Sequence, residues 1–183
     1  ETQDRLMEEL QSKHVALVGN ARALANTSHG AAIEAAELVV RINSAPIVSS
    51  ISHGTRTDWL GVSVPPDQAT LAARAPRHVL WMTRKRKRLP YALAHRPGFY
   101  LHPKADSARL RALLGAPPTT GLMLIDLLSR APLASLTLYG FDFFASLSLS
   151  GRRNAQQVPH DFGAEASFVA DLIARDSRIT RVE

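Results

Sequence analysis

Two asparagines, a threonine pair with its glycine, and one histidine are the residues of this chain whose type and setting suit chemistry. Asn20 closes the run His14-Val-Ala-Leu-Val-Gly-Asn20, and Asn43 closes Leu38-Val-Val-Arg-Ile-Asn43. Each follows a short apolar run that reads as a buried parallel strand. The carboxyl edge of an open α/β sheet is where ligands bind. Two neutral amides there donate and accept hydrogen bonds without adding charge, which suits a phosphate together with a sugar or a base. Taken singly, Gly19-Asn20 reads equally as a turn, and Asn43 as a strand terminus. Thr119-Thr120-Gly121 follows Pro117-Pro118 and opens an apolar helix. The N–H groups at a helix start favour anions, and glycine allows close approach to the main chain; plain N-capping by threonine is the alternative. His160 stands just before a further helix, outside any apolar face. With an unperturbed pKa of about 6.5, an imidazole can take the proton of a hydroxyl nucleophile near neutral pH. Glu165 lies five residues on, about 140° past one full helical turn, so it reads as a support for the loop rather than a second catalyst.

The elements that must position these groups follow from the hydrophobic pattern. Strands are expected at about His14–Gly19, Leu38–Asn43, Thr57–Val62, His78–Met82, Phe99–Leu101 and Ser135–Gly140. Helices are expected over residues 1–12, Gly30–Ala36, Asp67–Arg74, Ser107–Leu114 (ended by Gly115) and Gly121–Arg130, with a last one capped by Asp161. The Gly121–Arg130 segment is apolar nearly all round, as a buried helix is. Apolar runs alternating with helices predict a single-domain, Rossmann-like α/β fold, a mostly parallel doubly wound sheet over residues 1–183. The G-x-G-x-x-G turn is missing after Gly19, where the chain reads Asn20-Ala21-Arg22-Ala23-Leu24, which excludes a dinucleotide cofactor of that type.

In order and spacing these pieces resemble glycosyltransferase family 29, the eukaryotic-type sialyltransferases. Val18-Gly19-Asn20, Ser28-x-Gly30, Glu37 and Arg41-Ile42-Asn43-Ser44-Ala45-Pro46 resemble the large sialyl motif. Pro118-Thr119-Thr120-Gly121 through Leu138-Tyr139-Gly140-Phe141-Asp142 resembles the small motif, and His160 with Glu165 the very small motif, His-x4-Glu. The resemblance implies a GT-A-like variant of the fold, a CMP-activated sugar donor contacted by Asn20, Asn43, Thr119, Thr120 and Gly121, and His160 as base. The implied reaction is inverting transfer of sialic acid or the related octulosonic acid Kdo to a hydroxyl of a glycan or glycolipid, as in bacterial polysaccharide biosynthesis. Family members usually carry a further His or Tyr motif before the very small one. Phe144 to Pro159 holds neither, and Arg152 and Arg153 are the available cations for a leaving phosphate. A non-catalytic nucleotide- or glycan-binding module is the alternative.

Composition sets bounds on this reading. A chain of 183 residues with 45% hydrophobic content closes a core without staples. It has no cysteine, hence no disulfide or thiolate metal site. The secretory members of the family tie their large and small motifs by a disulfide, so this chain fits a reducing, bacterial cytoplasm better. No Asp-x-Asp element occurs, and metal independence is expected; no cofactor is implied beyond the donor. No run of eighteen apolar residues is present. The chain begins at Glu1 rather than Met, which leaves an upstream anchor open. The net charge of +6 is concentrated in Arg84-Lys85-Arg86-Lys87-Arg88, read as a solvated loop or a contact with anionic membrane lipid or acidic glycan. Without interleaved aromatics it does not suit nucleic acid. The expected location is cytoplasmic, peripheral to the inner membrane.

Overall fold

A computed structural model describes residues 1–143 and 159–182. Its centre is a seven-stranded sheet made of β1 (His14–Val18), β2 (Leu38–Ile42), β3 (Trp59–Val62), β4 (His78–Trp81), β5 (Phe99–Leu101), β6 (Ser135–Tyr139) and β7 (Ile179–Val182). The strand order is β5-β4-β3-β2-β1-β6-β7, and every neighbouring pair is parallel. The chain winds outward from β1 to β5, then returns to lay β6 on the other side of β1. That reversal is the topological switch point of a doubly wound sheet, as the strand pattern predicts.

Eight helices flank the sheet among the described residues: α1 (Gln3–Leu10), α2 (Gly30–Ala35), α3 (Ser50–His53), α4 (Gln68–Arg74), α5 (Tyr91–Ala94), α6 (Lys104–Leu114), α7 (Thr120–Ser129) and α8 (Phe162–Arg175). Successive strand residues face opposite sides, so β1 splits its apolar run. Val15 and Leu17 pack with α1, α6, α7 and α8, while Ala16 and Val18 pack with Leu24 and Ile33 of the β1–β2 connection. Leu60, Val62, Val79 and Trp81 continue the second face, against Leu71 of α4 and Leu93 of α5. Burial on both faces is what turns β1 to β4 into near-continuous apolar runs. Residues 120–128 of α7 are all buried, because the helix lies between the sheet and its neighbours on that face.

The structure adds short elements to those expected. β7 was not expected: Ile179-Thr-Arg-Val182 has only its first residue fully buried, too little apolar signal for a strand. The four-residue helices α3 and α5 were not expected either, being one turn long. Within the basic run, which lies in the exposed connection after β4, Arg86–Arg88 forms a 3₁₀ turn.

Candidate active site

Gly19 and Gly140, the residues after β1 and β6, meet backbone to backbone. A Cβ on Gly19 would stand 2.3 Å from the Gly140 carbonyl oxygen, and the Ala21 N–H donates to that oxygen at 3.2 Å. Gly140 itself has φ +67°. This close approach at the switch point opens a cleft of about 1190 Å³ along the carboxyl edge of the sheet. That is somewhat above the roughly 300–1,000 Å³ of a typical small-molecule pocket.

Asn20, Asn43, Thr119, Thr120, Gly121, His160 and Glu165 all line this one cleft. Asn20 is 8% exposed, and its Nδ2 donates to the Ile42 carbonyl at 3.2 Å, which ties the end of β1 to the end of β2. Asn43 takes a left-handed φ of 54°, a conformation asparagine tolerates better than most residues. Its Oδ1 accepts from both the N–H and the Oγ of Ser63, each at 3.2 Å. The N–H can only donate, so that atom is the amide oxygen, and Nδ2 is left to donate to a ligand. Ser63 is thus a supporting residue that sequence reading missed.

Thr119 is the N-cap of α7, and its Oγ1 accepts from the Leu122 N–H at 3.1 Å. Its own N–H and hydroxyl donate to Glu165 Oε1 and Oε2, both at 2.7 Å. Its side chain is fully used, so the open donors at this helix start are the N–H groups of Thr120 and Gly121, which have no partner among the described residues. They supply the anion-favouring end of the helix. Glu165, 2% exposed on the first turns of α8, braces that turn. Burial pushes its carboxyl up to about 7, with Asp161 adding to the rise and the two Thr119 donors opposing it. Gly121 does not simply leave space for a ligand: a Cβ there would lie 2.9 Å from Phe141 Cε1. The glycine admits the Phe141 ring, which itself lines the cleft.

His160 Nδ1 lies 2.7 Å from the Pro117 carbonyl. A carbonyl only accepts, so Nδ1 carries the proton, and Nε2 of the neutral ring is the basic atom. Of the seven histidines in the chain, His160 alone lines the cleft. His53 is 1% exposed with its Nδ1 on Ser52 Oγ, and His102 is buried and held down to about 4 by desolvation.

Other motif residues are architectural. Arg41 is 1% exposed and donates from Nε to the Arg56 carbonyl and from Nη2 to the His53 carbonyl, at 2.8 and 2.7 Å. Burial lowers its pKa to about 10, which leaves it charged at neutral pH. Glu37 accepts from the His14 N–H at 2.9 Å at the opposite end of β1. Arg152 and Arg153 lie outside the described residues. Among the described residues, no group of three His, Cys, Asp or Glu side chains could hold a metal ion, and no helix is long and apolar enough to cross a membrane.

The fold and site define a doubly wound α/β protein whose switch-point cleft is lined by amides, a helix start and a histidine. Comparison narrows the kind: residues 1–78 match the family model of glycosyltransferase family 29 (sialyltransferase). The whole chain has the fold of sialyltransferases. A mammalian sialyltransferase in complex with Gal-beta-1-3GalNAc-ortho-nitrophenol superposes with a TM-score of 0.72 at 17% identity, over 98% of this chain and 78% of the other. The sialyltransferase CstII from Campylobacter jejuni, in complex with the substrate analogue cytidine-5'-monophosphate, gives 0.60 at 12% identity, over 93% and 79%. No curated protein matches the sequence.

Proposed function

We propose that residues 1–183 form one catalytic domain that transfers an acidic sugar, sialic acid or Kdo, from a CMP donor to a glycan or glycolipid hydroxyl. The observation that carries the reading is His160: its Nδ1 is fixed on the Pro117 carbonyl, one residue pair before the helix start at Thr119-Thr120-Gly121. Base and anion site are thereby held by the same turn. The family-model match over residues 1–78 and the likeness to the CMP-bound CstII support the donor class. Asn20, Asn43 and the N–H groups of Thr120 and Gly121 hold the nucleotide. The acceptor hydroxyl gives its proton to His160 Nε2 as its oxygen bonds to the anomeric carbon. The carbon–oxygen bond to phosphate breaks on the opposite face, and its electron pair leaves with CMP, so configuration inverts. A monophosphate leaving group can be stabilised by helix-end donors and arginines, Arg152 and Arg153 among them, without a metal.

The test is calorimetry of CMP and of CMP-sialic acid against CMP-Kdo, paired with product mass in the wild type and His160→Ala. Absence of CMP affinity refutes the reading. Binding without turnover at saturating donor selects the non-catalytic module, which the lack of His or Tyr between Phe144 and Pro159 favours. A cytoplasmic setting belongs to the same proposal, and an anionic membrane is the rival partner for the basic run Arg84–Arg88.

A further inference from the structure

The basic run and α6 together form one wall of the cleft. Arg84, Lys85 and Arg88 line it from the β4–α5 connection, and Lys104 and Arg111 line it from α6. All five are exposed, in contrast to Asn20 and Thr120, each 8% exposed at the floor. Lys104 and Arg111 are seven residues apart, so they share a helix face two turns, or about 10.5 Å, apart. None of the five has a salt-bridge partner among the described residues. Arg86 differs, since its Nη atoms donate to the Thr83 and His102 carbonyls and fix the turn that presents its neighbours.

The acidic side chains in the lining are Asp142 and Glu165, and Glu165 is buried on Thr119. Residues 144–158 contain no Asp or Glu that could neutralise the wall. A CMP-activated acidic sugar brings two negative charges, one on phosphate and one on carboxylate. Even with Asp142 counted against them, those charges leave at least two of the five exposed cations unmatched. Like charges crowded in a cleft oppose folding unless a ligand offsets them, and they focus a positive potential on whatever enters.

We infer that the acceptor is an anionic glycan, carrying carboxylates or phosphates along its chain, seated at the cleft mouth against Arg84, Lys85, Arg88, Lys104 and Arg111. The inference rests on the glycosyltransferase reading for its word acceptor, and on the charge of the cleft for the ligand class. Guanidinium groups pair bidentately with both kinds of anion, so the two sources are separated by experiment.

The test measures direct binding of labelled oligosaccharides to the full chain by fluorescence anisotropy, with a neutral glycan, a uronic-acid glycan and a phosphorylated glycan of equal length. CMP affinity is measured separately by calorimetry. The anionic probes are expected to bind about 10-fold or more tighter than the neutral one at low salt, with the preference fading as salt rises. Arg88→Gln/Lys104→Gln/Arg111→Gln should remove most of that preference and leave CMP affinity within about twofold. The tighter of the two anionic probes names the source. Equal binding of neutral and anionic glycans overturns the inference, and so does a triple variant whose loss falls on CMP instead. Loss of CMP affinity in the wild type would sink the glycosyltransferase reading while leaving the glycan-binding result to stand by itself. Binding to phosphatidylglycerol vesicles that the triple variant abolishes, without any preference among glycans, assigns the wall to a membrane and overturns the inference.

Discussion

Replacing Glu165 by Gln should make the protein more stable at alkaline pH and leave it near parity in mild acid. The Glu165 carboxyl is raised from 4.5 to about 7 in the folded state, chiefly by burial. A raised folded-state value means that the unfolded chain releases the proton first as pH rises. The stability present below about 4.5 is then lost progressively up to about pH 7. At about 1.36 kcal/mol per pKa unit the full loss is about 3 kcal/mol, of which about 2.5 kcal/mol falls between pH 5 and 8. Gln carries no charge at any pH and escapes this loss. It forfeits about 1 kcal/mol at all pH values, because its amide nitrogen cannot accept the Thr119 hydroxyl proton now held at 2.7 Å. The variant is therefore expected within about 0.5 kcal/mol of wild type at pH 5 and about 2 kcal/mol more stable at pH 8. In urea melts this is a midpoint difference of about 1 M that opens with pH. His102, held down to about 4, acts with the opposite sign across the same range. It is common to both proteins, so their difference isolates Glu165. Parallel stability curves for the two proteins from pH 5 to 8 would refute the claim that this carboxylate is buried at an energetic cost.

His160→Ala should lower turnover by about 10² to 10⁴ with CMP affinity nearly intact. Simultaneous loss of nucleotide binding would instead place His160 on the leaving phosphate. Asn43→Ala should weaken donor binding by about 1 kcal/mol or more, since Ser63 occupies its Oδ1 and leaves Nδ2 as the donor; unchanged donor affinity with a collapsed melting temperature would make the residue structural. Gly121→Val should displace the Phe141 ring, which stands 2.9 Å from the would-be Cβ, and so cost both stability and CMP affinity, measured by thermal melts and calorimetry. Full CMP affinity in that variant would place the nucleotide away from the start of α7.

Part of the site was legible because its residues sit at element boundaries, and boundaries have local signatures. Gly19-Asn20, Ile42-Asn43 and Pro118-Thr119 each end or begin a strongly apolar segment, so position at the sheet edge followed from pattern alone. The acidic cap at Asp161 was legible in the same way, and its side chain accepts from the Ala164 N–H at 2.9 Å. What pattern could not supply was partnership. Thr119 lies 46 positions from Glu165 and Asn43 lies 20 from Ser63, and no local rule couples residues so far apart. The basic run shows the same limit: its composition was plain, but Lys104 and Arg111 on α6 looked like ordinary surface positions.

The sequence by itself determined the strands that end in asparagine, the buried α7 and the doubly wound class, because apolar periodicity and capping are local properties of the chain. Only the tertiary structure decided which nitrogen of His160 is basic, that Glu165 serves Thr119, that Gly121 makes way for Phe141, and that five cations share one cleft. Each of these depends on where the β5-to-β6 return brings α6 and α7, and the β6-to-β7 connection brings α8, against the sheet. That placement is set by packing between segments far apart in the chain, a sum over contacts that no single stretch of residues encodes.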